Sequence, residues 1–336
     1  MRHLTSLFLD LPVAETEFER QVFAFCQAWR AGQTEFTFHT SGSTGEPKPL
    51  VISRERFYFS AKMTGDWLKL VKGDVALLSL PPTYIAGAMV LVRALIHDLS
   101  VILVEPCQNP LSQIPPQDIH LASFVPTQWA TMLDSGIQFS DYFKQAKGIL
   151  LGGASVSDSL RKDYGFPVYE TYGMTETVSH IAYRNWNQSY FQTLPGVQIG
   201  QNDEDCLLIC APVTENKWME TRDVVELVAE GQFVLKGRLD RVINSGGLKL
   251  QPEKIEQVYR SLTSLPLFVA GIPDAFWGNK LVLFLESSMP MSFSIEPGLL
   301  SSAEIPKEII CLPSFIKTAS AKIDTAKTVA LYLNSI

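Results

Sequence analysis

Four short apolar runs, at residues 75 to 80, 101 to 104, 121 to 125 and 148 to 151, alternate with stretches of helical spacing such as 53 to 70 and 127 to 134. This pattern constrains the fold more than any other feature of the chain. A strand with one wet face alternates apolar with polar residues, whereas a run that is apolar throughout must be covered on both sides. The spacing therefore predicts a parallel sheet layered by helices, an α/β fold. Residues 14 to 30 are expected to form one such helix, with Phe18, Val22, Phe23, Cys26 and Trp29 on its inner side. From about residue 195 the pattern changes to shorter strands between polar turns, including Cys206 to Cys210, Val224 to Val228 and Phe233 to Lys236. Beyond Gly237-Arg238-Leu239-Asp240-Arg241, a helix near 252 to 262 and strands near 267 to 272 and 281 to 286 suggest a separate small α+β domain. The expected organisation is a large N-terminal α/β domain over 1–237 and a small C-terminal domain over 238–336.

A chain of 336 residues with 46% hydrophobic content can bury cores of that size. Its formal net charge of -7 provides no broad basic surface, which argues against nucleic acid as the main partner. The longest apolar region, Val75 to Val104, is interrupted by Pro81, Pro82, Arg93, His97 and Asp98, and the first residues lack a cationic stretch followed by an apolar core. Neither a membrane span nor a signal peptide is expected, and a cytoplasmic location follows. Five cysteines, at 26, 107, 206, 210 and 311, have no framework spacing and suit a reducing compartment. Cys206 and Cys210 flank Leu207, Leu208 and Ile209, so a buried strand explains them better than a zinc site.

Before the first apolar run lies His39-Thr40-Ser41-Gly42-Ser43-Thr44-Gly45-Glu46-Pro47-Lys48. Phe36 and Phe38, alternating with Thr37 and His39, read as a short buried strand leading into it. Gly42 and Gly45 permit backbone conformations and close approaches that side chains block, so that successive amides can face one anion, and Lys48 adds a positive charge. The segment reads as a phosphate-holding loop, although its spacing is not that of the common nucleotide loop with four residues between glycine and a Gly-Lys pair. An ordinary polar turn is the plain alternative.

Four further segments follow in order: Leu151 to Ala154, Tyr169 to Thr177, Gly237 to Pro252, and Thr318-Ala319-Ser320-Ala321-Lys322-Ile323-Asp324. Together with the loop they resemble the adenylate-forming superfamily of acyl-CoA synthetases, adenylation domains and luciferases, over about residues 36 to 324. The resemblance implies a large α/β domain followed by a small mobile one, with ATP, Mg2+ and coenzyme A as reactants. It implies that Thr40, Ser41, Gly42, Ser43, Thr44, Gly45 and Lys48 hold the β- and γ-phosphates, and that Gly152, Gly153 and Ala154 line the adenine. Tyr172, Gly173, Met174 and Thr175 would meet the nucleotide, Tyr172 by stacking on the ring and Thr175 by bonding the α-phosphate. Glu176 would take the magnesium ion, Asp223 the ribose hydroxyls, and Arg238 a further nucleotide contact. Asp240 falls on the family hinge. Gly246 and Gly247, with Lys249, resemble the loop that enters the site when the small domain rotates. Lys322 matches the lysine that bridges carboxylate and phosphate during adenylation, but Ala321 stands where the family has glycine. Catalysis would rest on Lys322, Thr175 and Glu176.

Two segments, Leu80 to Ala94 and Tyr172 to Ala182, are similar to the o-succinylbenzoate-CoA ligases of menaquinone synthesis, especially short bacterial forms. That resemblance makes Arg93, six residues after Gly87, a substrate contact, with Tyr84 and His180 as further pocket candidates. A planar guanidinium suits the unreacted aromatic carboxylate of that acid. A surface ion pair is the alternative for Arg93, and a satisfied core histidine for His180. Family members have a long segment ahead of the phosphate loop where this chain has 39 residues. The pocket wall from that segment is expected to be absent or supplied by a second subunit, which would make the protein a homo-oligomer. Ligation of another aryl or acyl acid, loading of a carrier-protein thiol and non-catalytic nucleotide binding are the competing functions.

Overall fold

The computed structural model describes residues 1–5, 7, 11–39, 49–317 and 323–335. A short strand, β1 (Arg2–Leu4), precedes α1 (Glu17–Arg30), which starts where the Thr16 hydroxyl accepts from Glu19 N–H. The buried face of α1 carries Phe18, Val22, Phe23, Cys26 and Trp29, as the spacing predicted. β2 (Glu35–His39) and β3 (Pro49–Ser53) pair antiparallel, with Phe36 and Phe38 buried and Thr37 exposed. Ser53 then caps α2 (Arg54–Leu68) by accepting from Arg56 N–H.

The apolar runs become β4 (Val75–Leu78), β5 (Ser100–Leu103), β6 (Leu121–Phe124) and β7 (Gly148–Leu151), with α3 (Ile85–His97), α4 (Pro126–Asp134) and α5 (Ser140–Phe143) between them. With β8 (Val168–Gly173) they form a parallel array in the order β5-β4-β6-β7-β8. Successive residues face different cores. Ala76, Leu78, Val101, Leu103, Leu121 and Leu150 join the cluster containing α1, α2 and α3, while Leu77, Ile102, Ala122, Phe124, Ile149 and Leu151 join that of Trp129 and Phe143. This alternation is why the runs carry no charged residue and, apart from Ser79 and Ser123, are apolar.

Past β8 the sheet becomes antiparallel through β9 (His180–Asn185), β10 (Phe191–Thr193), β11 (Gln198–Gln201), β12 (Cys206–Cys210), β13 (Met219–Ala229) and β14 (Gln232–Arg238). With β1 on the far edge against β5, hydrogen bonds link twelve strands among the described residues. Cys206 and Cys210 sit on β12, and among the described residues no group of three or more His, Cys, Asp or Glu comes together to hold a metal. No helix among them is long and apolar enough to cross a membrane.

The chain continues with the hairpin β15 (Ile243–Ser245) and β16 (Leu248–Leu250), then α6 (Pro252–Arg260) and a three-stranded sheet of β17 (Leu267–Asp274), β18 (Gly278–Glu286) and β19 (Glu308–Leu312). The central strand, β18, again serves two cores. Leu281, Leu283 and Leu285 meet Ile255 and Tyr259 of α6, while Val282 and Phe284 meet Val329 and Tyr332 of α7 (Thr325–Leu333). A small C-terminal α/β unit thus follows the large sheet, the arrangement the sequence pattern suggested. β19 runs parallel to β18, a pairing the sequence reading did not include.

The position of α3 depends on Gly87. A β-carbon there would lie 2.3 Å from Pro81 O and 2.6 Å from Leu80 O, both backbone atoms that cannot swing away. Gly87→Ala gains up to about 1 kcal/mol of helix propensity, yet overpacking of a rigid contact costs about 1–3 kcal/mol. The substitution is expected to lower the urea-unfolding midpoint, and an unchanged or higher midpoint would contradict the close packing of α3 on the 80–81 backbone.

Candidate active site

The turn between β8 and β9 sets the centre of the site. Gly173 lies so close to the returning strand that a β-carbon would fall 2.3 Å from Ser179 O and 2.4 Å from His180 Cα. Between them, Thr175–Thr177 form one 3-10 turn whose last residue is fully buried. The Thr177 hydroxyl accepts from Met174 N–H at 3.0 Å and lies 2.7 Å from Ser179 O, tying both ends of the turn together. Val178 closes it at φ 65°, ψ -51°, a region that costs a β-branched residue about 1–3 kcal/mol. Arg56 of α2 tethers the same turn from outside, donating through Nη2 to Glu176 O and through Nε to Val213 O at 2.6 Å. Glu176 itself is exposed, and no hydrogen bond or ion pair engages its carboxylate among the described residues.

Arg93 is not a surface ion-pair residue. It sits in the middle of α3 with 2% of its surface exposed, and no carboxylate pairs with it among the described residues. Its Nη2 donates to Ser179 Oγ at 3.0 Å and approaches His180 Nδ1 at 3.5 Å, while its Nε, also buried, has no hydrogen-bond partner among the described residues. Burial alone pulls the guanidinium down to about 9, which leaves it charged at neutral pH. His180 is buried beside it, and desolvation, reinforced by the Arg93 charge, drives its pKa well below 6.5. The imidazole is therefore neutral. Its Nε2 lies 3.3 Å from Thr64 Oγ1 on α2, and Trp67 packs edge-on to its ring. Tyr84 stands 46% exposed at the start of α3.

In a second cluster, Asp223 of β13 is buried and bridges two partners. Oδ2 accepts from the Tyr172 hydroxyl at 2.6 Å and Oδ1 from Arg238 Nη1 at 3.1 Å. Arg238 in turn forks onto both oxygens of Asp240 at 2.9 and 2.8 Å, which holds the Asp240 carboxyl below its ordinary range and Arg238 above its own. The Tyr172 ring, expected to stack on adenine, packs against Phe191 and Phe233 and is 8% exposed. Its evident work is to hold Asp223. Gly152 allows the chain to pass Thr171, whose Oγ1 a β-carbon would approach to 2.6 Å, and Gly153 takes φ 81°. Gly153 and Ala154 are exposed beside them. Lys249 is exposed on β16. Thr40, Ser41, Gly42, Ser43, Thr44, Gly45, Lys48 and Lys322 lie outside the described residues.

The structure thus brings Arg93 and His180 into one cluster and Tyr172, Asp223, Arg238 and Asp240 into another, joined by the 173–180 turn. Sequence reasoning missed Thr64, Ser179 and Arg56. Ser179 could have been suspected as the neighbour of His180, but nothing local marks Thr64 or Arg56, which arrive from α2.

A family model described as AMP-binding enzyme matches residues 10–214, more than half of the chain. The chain belongs to the AMP-binding enzyme family. It is an adenylate-forming, AMP-forming ligase. An acyl-CoA synthetase (AMP-forming)/AMP-acid ligase II-like protein from Dyadobacter fermentans is 36% identical, with a TM-score of 0.64 over 96% of each chain. A 2-succinylbenzoate--CoA ligase from Listeria innocua is 28% identical over 90% of this chain and 71% of its own length. The o-succinylbenzoate coenzyme A synthetase of Bacillus subtilis, solved with ATP and magnesium ion, is 25% identical with a TM-score of 0.76 over 87% of this chain and 69% of that one.

The buried neutral histidine gives this AMP-binding enzyme a pH signature. An unfolded histidine titrates near 6.5 and the folded one well below it, so below about pH 6.5 the unfolded state binds the extra proton. This contribution is fully present above that pH and is lost as pH falls, by at most about 1.4 kcal/mol per unit. His180→Gln is expected to flatten the decline of urea stability between about pH 7 and pH 5 relative to wild type. Equal slopes in the two proteins would place His180 elsewhere than in a dry, neutral setting.

Proposed function

We propose that this ligase converts o-succinylbenzoate, ATP and CoA into o-succinylbenzoyl-CoA by way of an acyl-adenylate, serving menaquinone biosynthesis. The observation that carries this reading is Arg93, a charged guanidinium held dry on neutral partners with no carboxylate beside it among the described residues. An acid that retains a second carboxylate after activation would complete it with charge-assisted bonds. The names of the Listeria and Bacillus proteins point to the same acid.

In the first half-reaction the succinyl carboxylate attacks the α-phosphorus of ATP, an oxygen–phosphorus bond forms and pyrophosphate leaves. No protein nucleophile is needed, so the residues act by position and charge. Thr175 would bond the α-phosphate, Asp223 the ribose, Gly152 to Ala154 the adenine, and Thr40 to Lys48 the leaving phosphates. Magnesium is commonly held by one or two carboxylates together with substrate phosphates, and the exposed Glu176 carboxylate, which accepts no hydrogen bond among the described residues, fits that demand. Bound there, the ion would neutralise charge on phosphate oxygens. In the second half-reaction the CoA thiol attacks the acyl carbon and AMP departs.

The proposed domain boundary falls between Gly237 and Arg238, with Asp240 as the hinge about which residues 238–336 rotate between the steps. The anchoring around it supports this. Arg238, the last residue of β14, binds Asp223 within the large sheet, whereas Arg241 binds Glu253 at 3.0 Å and Glu256, both on α6. Asp240 stands between arginines committed in opposite directions. Rotation would exchange Lys322, which serves adenylation, for the Gly246-Gly247 turn with Lys249, which serves thioester formation.

Acid-dependent pyrophosphate release is the primary assay. With o-succinylbenzoate, Arg93→Leu is expected to lower kcat/KM about 10- to 150-fold, the value of a lost charge-assisted contact, with Arg93→Lys recovering part of it. Release unaffected by Arg93→Leu would remove Arg93 from the acid pocket, and release with other acids but not this one would replace the substrate. Lys322→Ala is expected to depress adenylation at least about 100-fold while sparing thioester formation from supplied acyl-adenylate. Equal loss of both half-reactions would contradict its assigned role.

A further inference from the structure

We propose that Thr64 is a positioning residue for acid specificity: its hydroxyl fixes the tautomer of His180, and His180 in turn holds Arg93 for the second carboxylate of the acid. The inference rests on the reading of Arg93 given above and adds a residue remote from the substrate. Thr64 is fully buried on α2, and its Oγ1 lies 3.1 Å from Ser60 O, one helical turn back. A carbonyl accepts only, so the Thr64 proton is committed to Ser60 and its lone pairs are what face His180 Nε2 at 3.3 Å.

An acceptor opposite Nε2 requires the proton on Nε2. In a neutral imidazole Nδ1 is then bare, and it is Nδ1 that faces Arg93 Nη2 at 3.5 Å and Ser179 Oγ at 3.4 Å. A guanidinium has donors only, so this tautomer gives it an acceptor, while the other would set N–H against N–H and leave Nε2 facing an oxygen whose proton is already engaged. The chain Ser60, Thr64, His180, Arg93 is therefore directional. It fixes one end of the guanidinium on neutral acceptors and leaves its buried Nε without a hydrogen-bond partner among the described residues. No carboxylate enters the chain among the described residues, so Arg93 keeps its charge for the ligand.

The test compares Thr64→Val, which keeps the shape and removes the acceptor, with Thr64→Ser, which keeps the acceptor. Pyrophosphate release is measured with o-succinylbenzoate and with 4-oxo-4-phenylbutanoate, the same acid without the ring carboxylate. Thr64→Val is expected to reduce the preference for the diacid about tenfold, the worth of one hydrogen bond, mainly through KM, and Thr64→Ser to restore it. Equal loss on both acids would show a merely structural role, and an unchanged preference would remove Thr64 from the chain; either overturns the proposal. Imidazole 15N shifts of His180 give a readout independent of the substrate. The Nε2–H tautomer in wild type and its loss in Thr64→Val support the proposal, whereas Nδ1–H in wild type overturns it. An enzyme that releases pyrophosphate with neither acid would overturn the proposed substrate, and the 15N shifts would still decide the role of Thr64.

Discussion

A parallel sheet covered on both faces has nowhere to place polar chemistry except at the ends of its strands. In this protein the residues of β4 to β7 alternate between two apolar cores, with Ser100 and Ser123 the polar exceptions, so charged groups enter only outside the strands. The carboxyl end of β7 delivers Gly152 to Ala154, that of β8 delivers Gly173 to Glu176, and that of β4 delivers the 79–84 segment that opens α3. The functional residues share a neighbourhood because the sheet excludes them from every other part of itself. The antiparallel extension adds Asp223 and Arg238, adjacent partners on β13 and β14.

The costliest element is the buried Arg93. Removing a charge from water costs several kcal/mol, and a neighbouring carboxylate would recover part of that while also quenching the charge. The fold uses dipoles instead: Ser179 and a neutral His180 share one end of the guanidinium and contribute no opposite charge. Asp223 is treated differently. It is equally buried but has Arg238 and the Tyr172 hydroxyl on its two oxygens, so a ligand reaching it must exchange contacts rather than create them. The two clusters thus differ in readiness, one with an open valence and the other already paired.

Much of this was legible from residue order. The apolar runs gave the parallel strands because their burial on two sides leaves a compositional trace, and α1 was readable from Phe18 to Trp29 because its partners lie on one side. Arg93 stood out as a charge inside an apolar helix. The legible part ends where a contact joins residues distant in the chain. Thr64 and His180 are 116 positions apart, and Arg56 and Glu176 are 120, with no local pattern to pair them. Tyr172 shows a related difficulty: a motif position marks a residue near the nucleotide, but only packing reveals that its ring lies against Phe191 and Phe233 and that its hydroxyl serves Asp223.

Val178 has a consequence for how this site can change. Its left-handed backbone is an unfavourable state kept in place by full burial and by the Thr177 bridge from Met174 to Ser179. Because so short and tense a link separates Glu176 from His180, neither can drift while the other stays still. In the proposed reading, the acid side and the phosphate side are two faces of this one turn. Helices α2 and α3 are part of the same unit, since Arg56 of α2 binds Glu176 O, Thr64 of α2 faces His180 Nε2 and Arg93 of α3 binds Ser179 Oγ. A substitution at any of these three helix positions would therefore be felt at both ends of the turn.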